Sequence, residues 1–153
     1  MSYDSDKAFC QMMSSYIQQA RPLDEVLFVK GKTAIVTGGS SGLGFNTALR
    51  LLQGGANVVI ASNVDREGEV AISLLEKEGY GEERVRFCNA NVAREEEVIR
   101  LVNFTDSVFG SIDIFVNSVG VWNYAHIYHM DRKDFDRIME INVTGLFLCL
   151  KHI

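Results

Sequence analysis

The sequence predicts an α/β fold: a parallel sheet of about four strands flanked by helices, with an extra helix at the N-terminus. Three observations lead there. From Lys32 onward, short β-branched runs alternate with longer segments whose apolar residues recur every three or four positions, the pattern of successive βα units. The first and last of those short runs are apolar on both faces, as strands covered by helices on two sides must be. A glycine-rich turn joins the first strand to the first helix.

Residues 1–30 read as an N-terminal extension. Phe9, Met12, Met13, Tyr16, Ile17 and Ala20 form one apolar helical stripe, with Asp6 as a candidate cap and Pro22 as a stop. Such a helix either docks on its own domain or meets a partner or membrane surface, since short helices are marginal without packing. The domain proper occupies residues 31–153. Strands are expected at Thr33–Thr37, Asn57–Ala61, Val85–Cys88 and Ile112–Asn117. Helices are expected at about Gly42–Leu52, Asp65–Glu78 and Glu95–Phe109, with a last one from about Lys133 to the end. Gly54–Gly55 closes the first helix, because a left-handed residue after a helix is cheapest as glycine. Val98, Leu101, Val102, Val108 and Phe109 supply the sheet-facing stripe of the third.

Composition sets bounds. With 153 residues, 47% of them hydrophobic and one proline, the chain suffices for one domain with one core. A net charge of −5 argues against nucleic acid as a partner, because no cluster of Lys and Arg is present to meet it. Cys10, Cys88 and Cys149 show neither a CxxC pairing nor a metal-like spacing with His126, His129 or His152, so no metal site is expected. They read as reduced thiols in a reducing, cytoplasmic setting. No apolar run reaches the roughly 20 residues a membrane span needs. The acidic opening "MSYDSDKAF" does not resemble a secretory signal.

The turn "TAIVTGGSSGLG", Thr33 to Gly44, carries the functional signal. Gly38, Gly42 and Gly44 allow a sharp turn and a close approach to something bulky, while the amides of Ser41, Gly42 and Leu43 point out of a helix N-terminus that favours negative charge. The spacing is GxxxGxG rather than GxGxxG, but the strand-to-helix context within a βαβ unit suits a dinucleotide's diphosphate. The alternative is a turn that is only structural.

Two further stretches, "IDIFVNSVG" from Ile112 and "MDRKDFDRIMEINVTGLFLCLKHI" from Met130, together with TGGSSGLG, resemble three ordered motifs of the short-chain dehydrogenase/reductase family. The resemblance implies a partial, doubly wound Rossmann fold with strand order 3-2-1-4, NAD or NADP as cofactor, and an alcohol or ketone as substrate. It further implies that Gly38, Ser40, Ser41, Gly42, Leu43 and Gly44 hold the cofactor's adenosine side and pyrophosphate. Asn117 would brace the sheet beside it, and Val119 and Gly120 would line its path. Asn142 matches the helix-kinking Asn with which the family holds a proton-relay water. Asn91, followed by Val92, stands where the family has an Asp facing the adenine amino group; an amide oxygen can accept the same bond. Ser62 and Asn63 end the second strand where NAD users usually show Asp. Asp65 and Arg66 nearby suit a ribose 2′-hydroxyl and a 2′-phosphate respectively, or serve only as helix-start residues. Val119 replaces the usual Ala and crowds a close-approach position.

The family's catalytic Ser and Tyr-x-x-x-Lys have no counterpart after Asn142. "YDSDK", Tyr3 to Lys7, satisfies the second pattern but precedes the first strand, and His126 and His129 are only weak candidates for an acid or base. The chain therefore reads as the adenosine half of such an enzyme, inactive alone, or as a catalytically dead nucleotide-binding or subunit-capping module. Ile138, Ile141, Val143, Leu146, Phe147, Leu148 and Leu150 make the last helix apolar nearly all round, and the resemblance implies that it packs on the matching helix of a neighbouring subunit, so a homo-oligomer through Asp134 to Ile153 is expected.

Overall fold

The structure, a computed structural model, describes residues 28–153 together with Gln11, Ser14 and Ser15. The stripe from Phe9 to Ala20 and the Tyr3–Lys7 match lie outside the described residues.

Strand β1 (Thr33–Thr37) is buried along its whole length. Strand β2 (Asn57–Ser62) pairs with it on one side and β4 (Ile114–Asn117) on the other; β3 (Val85–Asn89) lies beyond β2, so the order is β3-β2-β1-β4. All pairings are parallel, and Thr37 is level with Ala61 on one neighbour and Asn117 on the other. The strands thus end together, and the turns that leave them meet at one edge.

Helices α1 (Gly42–Gln53) and α2 (Asp65–Lys77) cover one face, where Phe45, Leu49, Leu52 and Leu75 pack on Ala34, Val36, Val58, Ile60 and Val85. On the other face α3 (Glu95–Phe109) sets Leu101 and the half-buried Phe104 and Phe109 against Ile35, Val59 and Ala61. Apolar side chains on both faces of β1 and β2 are therefore all covered. A buried Val or Ile contributes about 1.5–3 kcal/mol, so these two strands anchor the sheet. Strand β4 is equally apolar but only half-buried, because it is an edge.

Element bounds differ slightly from expectation. Strands β2 and β3 each run one residue further, to Ser62 and Asn89, while β4 starts at Ile114 rather than Ile112. The cause is Asp113, whose carboxylate turns to accept the Thr33 amide at 2.9 Å and Lys32 Nζ at 2.8 Å. The stripe of α3 is centred on Val98, Leu101 and Thr105; Val102 and Val108 sit at its margins, half-buried. Thr105 escapes a hydrophobicity pattern because it is polar, yet its hydroxyl is satisfied by Leu101 O at 2.8 Å. Gly54 stays right-handed, and Gly55, at φ +91°, makes the left-handed turn.

The last helix is interrupted. An α segment, α4 (Arg132–Met139), leads into a π-helical turn at Glu140–Thr144 and then α5 (Gly145–His152). Leu148 and Cys149 dock on Val92 and Val98, and Gly145 allows the approach, since a Cβ there would lie 2.7 Å from Val92 Cγ2. Lys151 and His152 reach Glu95 at 2.7 and 2.8 Å. Burial pushes the Cys149 thiol up to about 11, so it remains protonated and inert at neutral pH. Among the described residues no helix is long and apolar enough to cross a membrane.

The bond to Lys32 and then the Thr33 amide hold the Asp113 carboxyl below its ordinary value. A depressed carboxylate contributes stability that is complete above its unfolded pKa of about 3.9 and is lost as pH falls through the lower folded value. Asp113→Asn is therefore expected to lower stability at pH 7 and to flatten the acid limb below about pH 4, measured by urea unfolding across pH. An unchanged acid limb would mean the pair contributes nothing.

Candidate functional site

The turns leaving the four strands converge on one cleft of about 600 Å³, at the carboxyl edge of the sheet. In open parallel sheets the crevice forms where successive strands depart to opposite sides, here between β1 and β4. Gly38, Ser40, Ser41, Gly42 and Leu43 line it from the first turn, Ser62 and Asn63 from the end of β2, Asn91 and Val92 from the end of β3, and Val119 and Gly120 from beyond β4.

The first turn is shaped by contacts only glycine permits. Gly38 has φ +67°, and a Cβ on it would lie 2.7 Å from the Ser118 carbonyl oxygen. Its amide donates to Ala61 O at 2.8 Å, which fastens the turn to β2. Gly44 lies behind the turn, fully covered, where a Cβ would collide with the Gly38 carbonyl. Gly42, at φ +54°, has nothing within 4 Å of its Cβ position, so its conformation rather than crowding selects glycine. Ser41 is extended at the start of α1 and makes no side-chain capping bond. The first intrahelical bond is Phe45 N to Ser41 O at 3.0 Å, and the amides before it have no partner within the helix. Those donors, with the helix dipole behind them, face the cleft and favour negative charge there. Leu43, 83% exposed, offers an apolar surface beside them.

Gly44, Asn117 and Asn142 support the cleft from outside its lining. Asn117 Oδ1 accepts the Thr37 hydroxyl at 2.8 Å, tying the ends of β1 and β4 together. Asn142 lies in the π turn and clamps the loop after β4: its Nδ2 donates to Val121 O and its Oδ1 accepts the Val121 amide, both at 2.8 Å. Two such bonds contribute about 1–3 kcal/mol. Asn142→Ala is expected to lose that much stability and to accelerate amide exchange at Val121; unchanged exchange there would count against the clamp.

Other expectations are refined. Asn91 Oδ1 accepts the Ala93 amide at 3.0 Å, so the side chain shapes its own turn, and the Asn91 amide donates to Glu97 Oε2 at 2.8 Å. Asp65 is bound to Asn89 Nδ2 at 2.6 Å, and neither it nor Arg66 lines the cleft. Val119 packs against the Val92–Leu148 cluster, which accommodates its bulk. His126 and His129 flank Tyr128, at 5.5 and 4.5 Å between ring centroids, and also stand outside the lining. Glu67, Ser118, Trp122 and Arg137 belong to the lining without having been expected there. Glu67 lies in the first turn of the helix that follows β2, a position that faces the sheet edge, and this is the signal that could have found it.

A parallel 3-2-1-4 sheet with a glycine turn opening at its carboxyl edge defines a Rossmann-type α/β domain. The chain belongs to the short chain dehydrogenase family, whose sequence model it matches over residues 32–153. It is 40% identical to (+)-borneol dehydrogenase 2 of Salvia officinalis over 124 residues, covering 80% of this chain and 42% of that one. It is 36% identical to secoisolariciresinol dehydrogenase of Forsythia intermedia, covering 81% and 44%. Among solved structures, an NAD⁺-bound xylitol dehydrogenase superposes with a TM-score of 0.77 at 31% identity, over 83% of this chain and 48% of that one. The chain thus spans less than half the length of these relatives.

Proposed function

We propose that this chain is the dinucleotide-binding portion of an NAD(P)-dependent oxidoreductase acting on an alcohol or ketone. The observation that carries the reading is the set of open α1 amides beside Gly38–Gly44, facing a cleft of the volume such ligands occupy. Ser40, Ser41, Gly42 and Leu43 would hold the diphosphate through backbone donors. Ser62, Asn63, Asn91 and Val92 would border the adenosine, and Val119 and Gly120 the path toward the nicotinamide. The bound nicotinamide supplies the hydride acceptor or donor. Asn117 and Asn142 hold the β4 side of the cleft in place through Thr37 and Val121.

The sequence places no Tyr-x-x-x-Lys after Asn142. Positioned proton donors and acceptors are worth about 10²–10⁴ in rate, so the 153-residue chain is proposed to bind cofactor without turning substrate over. Titration with NADH and with NADPH, followed by nicotinamide fluorescence, is expected to give a saturable change for at least one of them. No binding of either at millimolar ligand would remove the proposal.

A second reading, a module that caps other subunits, is favoured by the exposed Val143, Phe147 and Leu150 on the outer side of the last helix. In that reading, as in the first, self-association through Asp134 to Ile153 is proposed.

A further inference from the structure

A second groove, of about 340 Å³, lies at β3, the end of the sheet away from β4, and shares no lining residue with the cleft. Among the described residues β3 pairs only with β2. The bonds from Val58 N to Arg84 O and from Ala90 N to Ser62 O fix the alternation: even-numbered residues turn their backbone groups to β2, so those of Val85, Phe87 and Asn89 point outward. Two of the outward groups are engaged, since the Val85 amide donates to Gly81 O at 3.0 Å and Asn89 O accepts Arg100 Nη2 at 2.9 Å. Between them the Phe87 amide and carbonyl have no partner among the described residues.

The groove wraps both faces of this edge. Phe87 packs beside Gly68 and Ile72 on the α2 face, and Phe104 of α3 lies on the other. Charge in the lining is uneven. Among the described residues it holds three acids, Glu69, Glu76 and Glu82, and one base, Arg86, whose Nη1 is bound to Glu82 Oε2 at 2.7 Å. Glu69 and Glu76, both exposed, flank Ile72 along one face of α2 and are left without a lining cation.

We propose that this edge binds a short extended peptide carrying an apolar, a basic and an apolar residue in succession, added antiparallel to β3. The central residue exchanges both backbone bonds with Phe87. Residues directly opposite share a face of the sheet, so its side chain lies on the α2 side, the stem along Ile72 and the cationic head by Glu69 and Glu76. The two flanking side chains turn to the other face, where Phe104 lies. A second copy of this chain does not meet these demands. In outward register its β3 offers Val85, Phe87 or Asn89 and no cation, and it brings its own carboxylates against these.

The test is fluorescence anisotropy of the full chain with three labelled peptides: TTVKVTT, its charge-reversed form TTVEVTT, and TTVKVTT methylated on the central lysine's backbone nitrogen. TTVKVTT is expected to bind saturably. Reversing the charge should weaken it about ten-fold or more, and so should methylation, which keeps the charge but removes the donor to Phe87 O. The double variant Glu69→Gln, Glu76→Gln changes only exposed side chains, so the fold survives, and it should bind TTVKVTT about three-fold or more weakly. No binding of TTVKVTT at millimolar peptide overturns the proposal, as does equal binding of TTVEVTT. Unchanged affinity on methylation, or in the double variant, overturns it too, since the contact would then involve neither the open edge nor the two carboxylates.

Discussion

Gly38→Ala is expected to destabilise the fold by roughly 2–5 kcal/mol, the sum of a left-handed conformation for a residue with a side chain, about 1–2, and of overpacking, about 1–3. Both apply because Gly38 has φ +67° and its Cβ direction meets the Ser118 carbonyl at 2.7 Å, backbone that cannot step aside. Domains of this kind are stable by only about 5–15 kcal/mol, so the urea midpoint should fall by a large fraction. Gly79→Ala is the control. It has φ +89° with nothing within 4 Å, and should show the conformational part alone. Equal losses at the two positions would mean that β1 and β4 do not approach as described. Cofactor binding should fail in Gly38→Ala even where the chain remains folded, since the displaced turn carries the amides proposed to hold the diphosphate.

Substitution of Phe147 and Leu150 by Lys is expected to abolish self-association. These side chains are 59% and 65% exposed while their neighbours Leu148 and Cys149 face inward, so the change spares the core. In a two-fold contact each side chain is buried twice. At about 1.5–3 kcal/mol per large apolar group, even a fraction of the total shifts a dissociation constant by several powers of ten. The wild type should sediment above its 17.1 kDa monomer mass at micromolar concentration and the double variant at it. A monodisperse wild-type monomer would defeat the expectation.

Most strand and helix positions were legible because β1 and β2 are apolar on both faces and the helices carry clear three- and four-residue spacing, whereas the sheet order came from the resemblance of three motifs to a known family. Bounds failed where a side chain competed with the ladder, as Asp113 does at the start of β4. The glycine turn after β1 was legible because its glycines are required by backbone geometry, and geometry of that kind leaves a trace in sequence. What was hidden depends on direction. Asp65 and Glu67 are both acids in one helical turn, yet one binds Asn89 and the other faces the cleft. Likewise Asn142 could be picked out by resemblance, but its two bonds to Val121 depend on a π turn that no periodicity announces.

Among the described residues, strand β4 pairs with β1 along one side only. Its other margin presents amide and carbonyl groups at the regular spacing of a ladder, and such groups recognise any extended backbone regardless of its side chains. That margin can therefore recruit a further strand but cannot choose which one. Fidelity in whatever joins the sheet there must come from side chains on the two faces of the strand, where the half-buried Phe115 and Val116 lie.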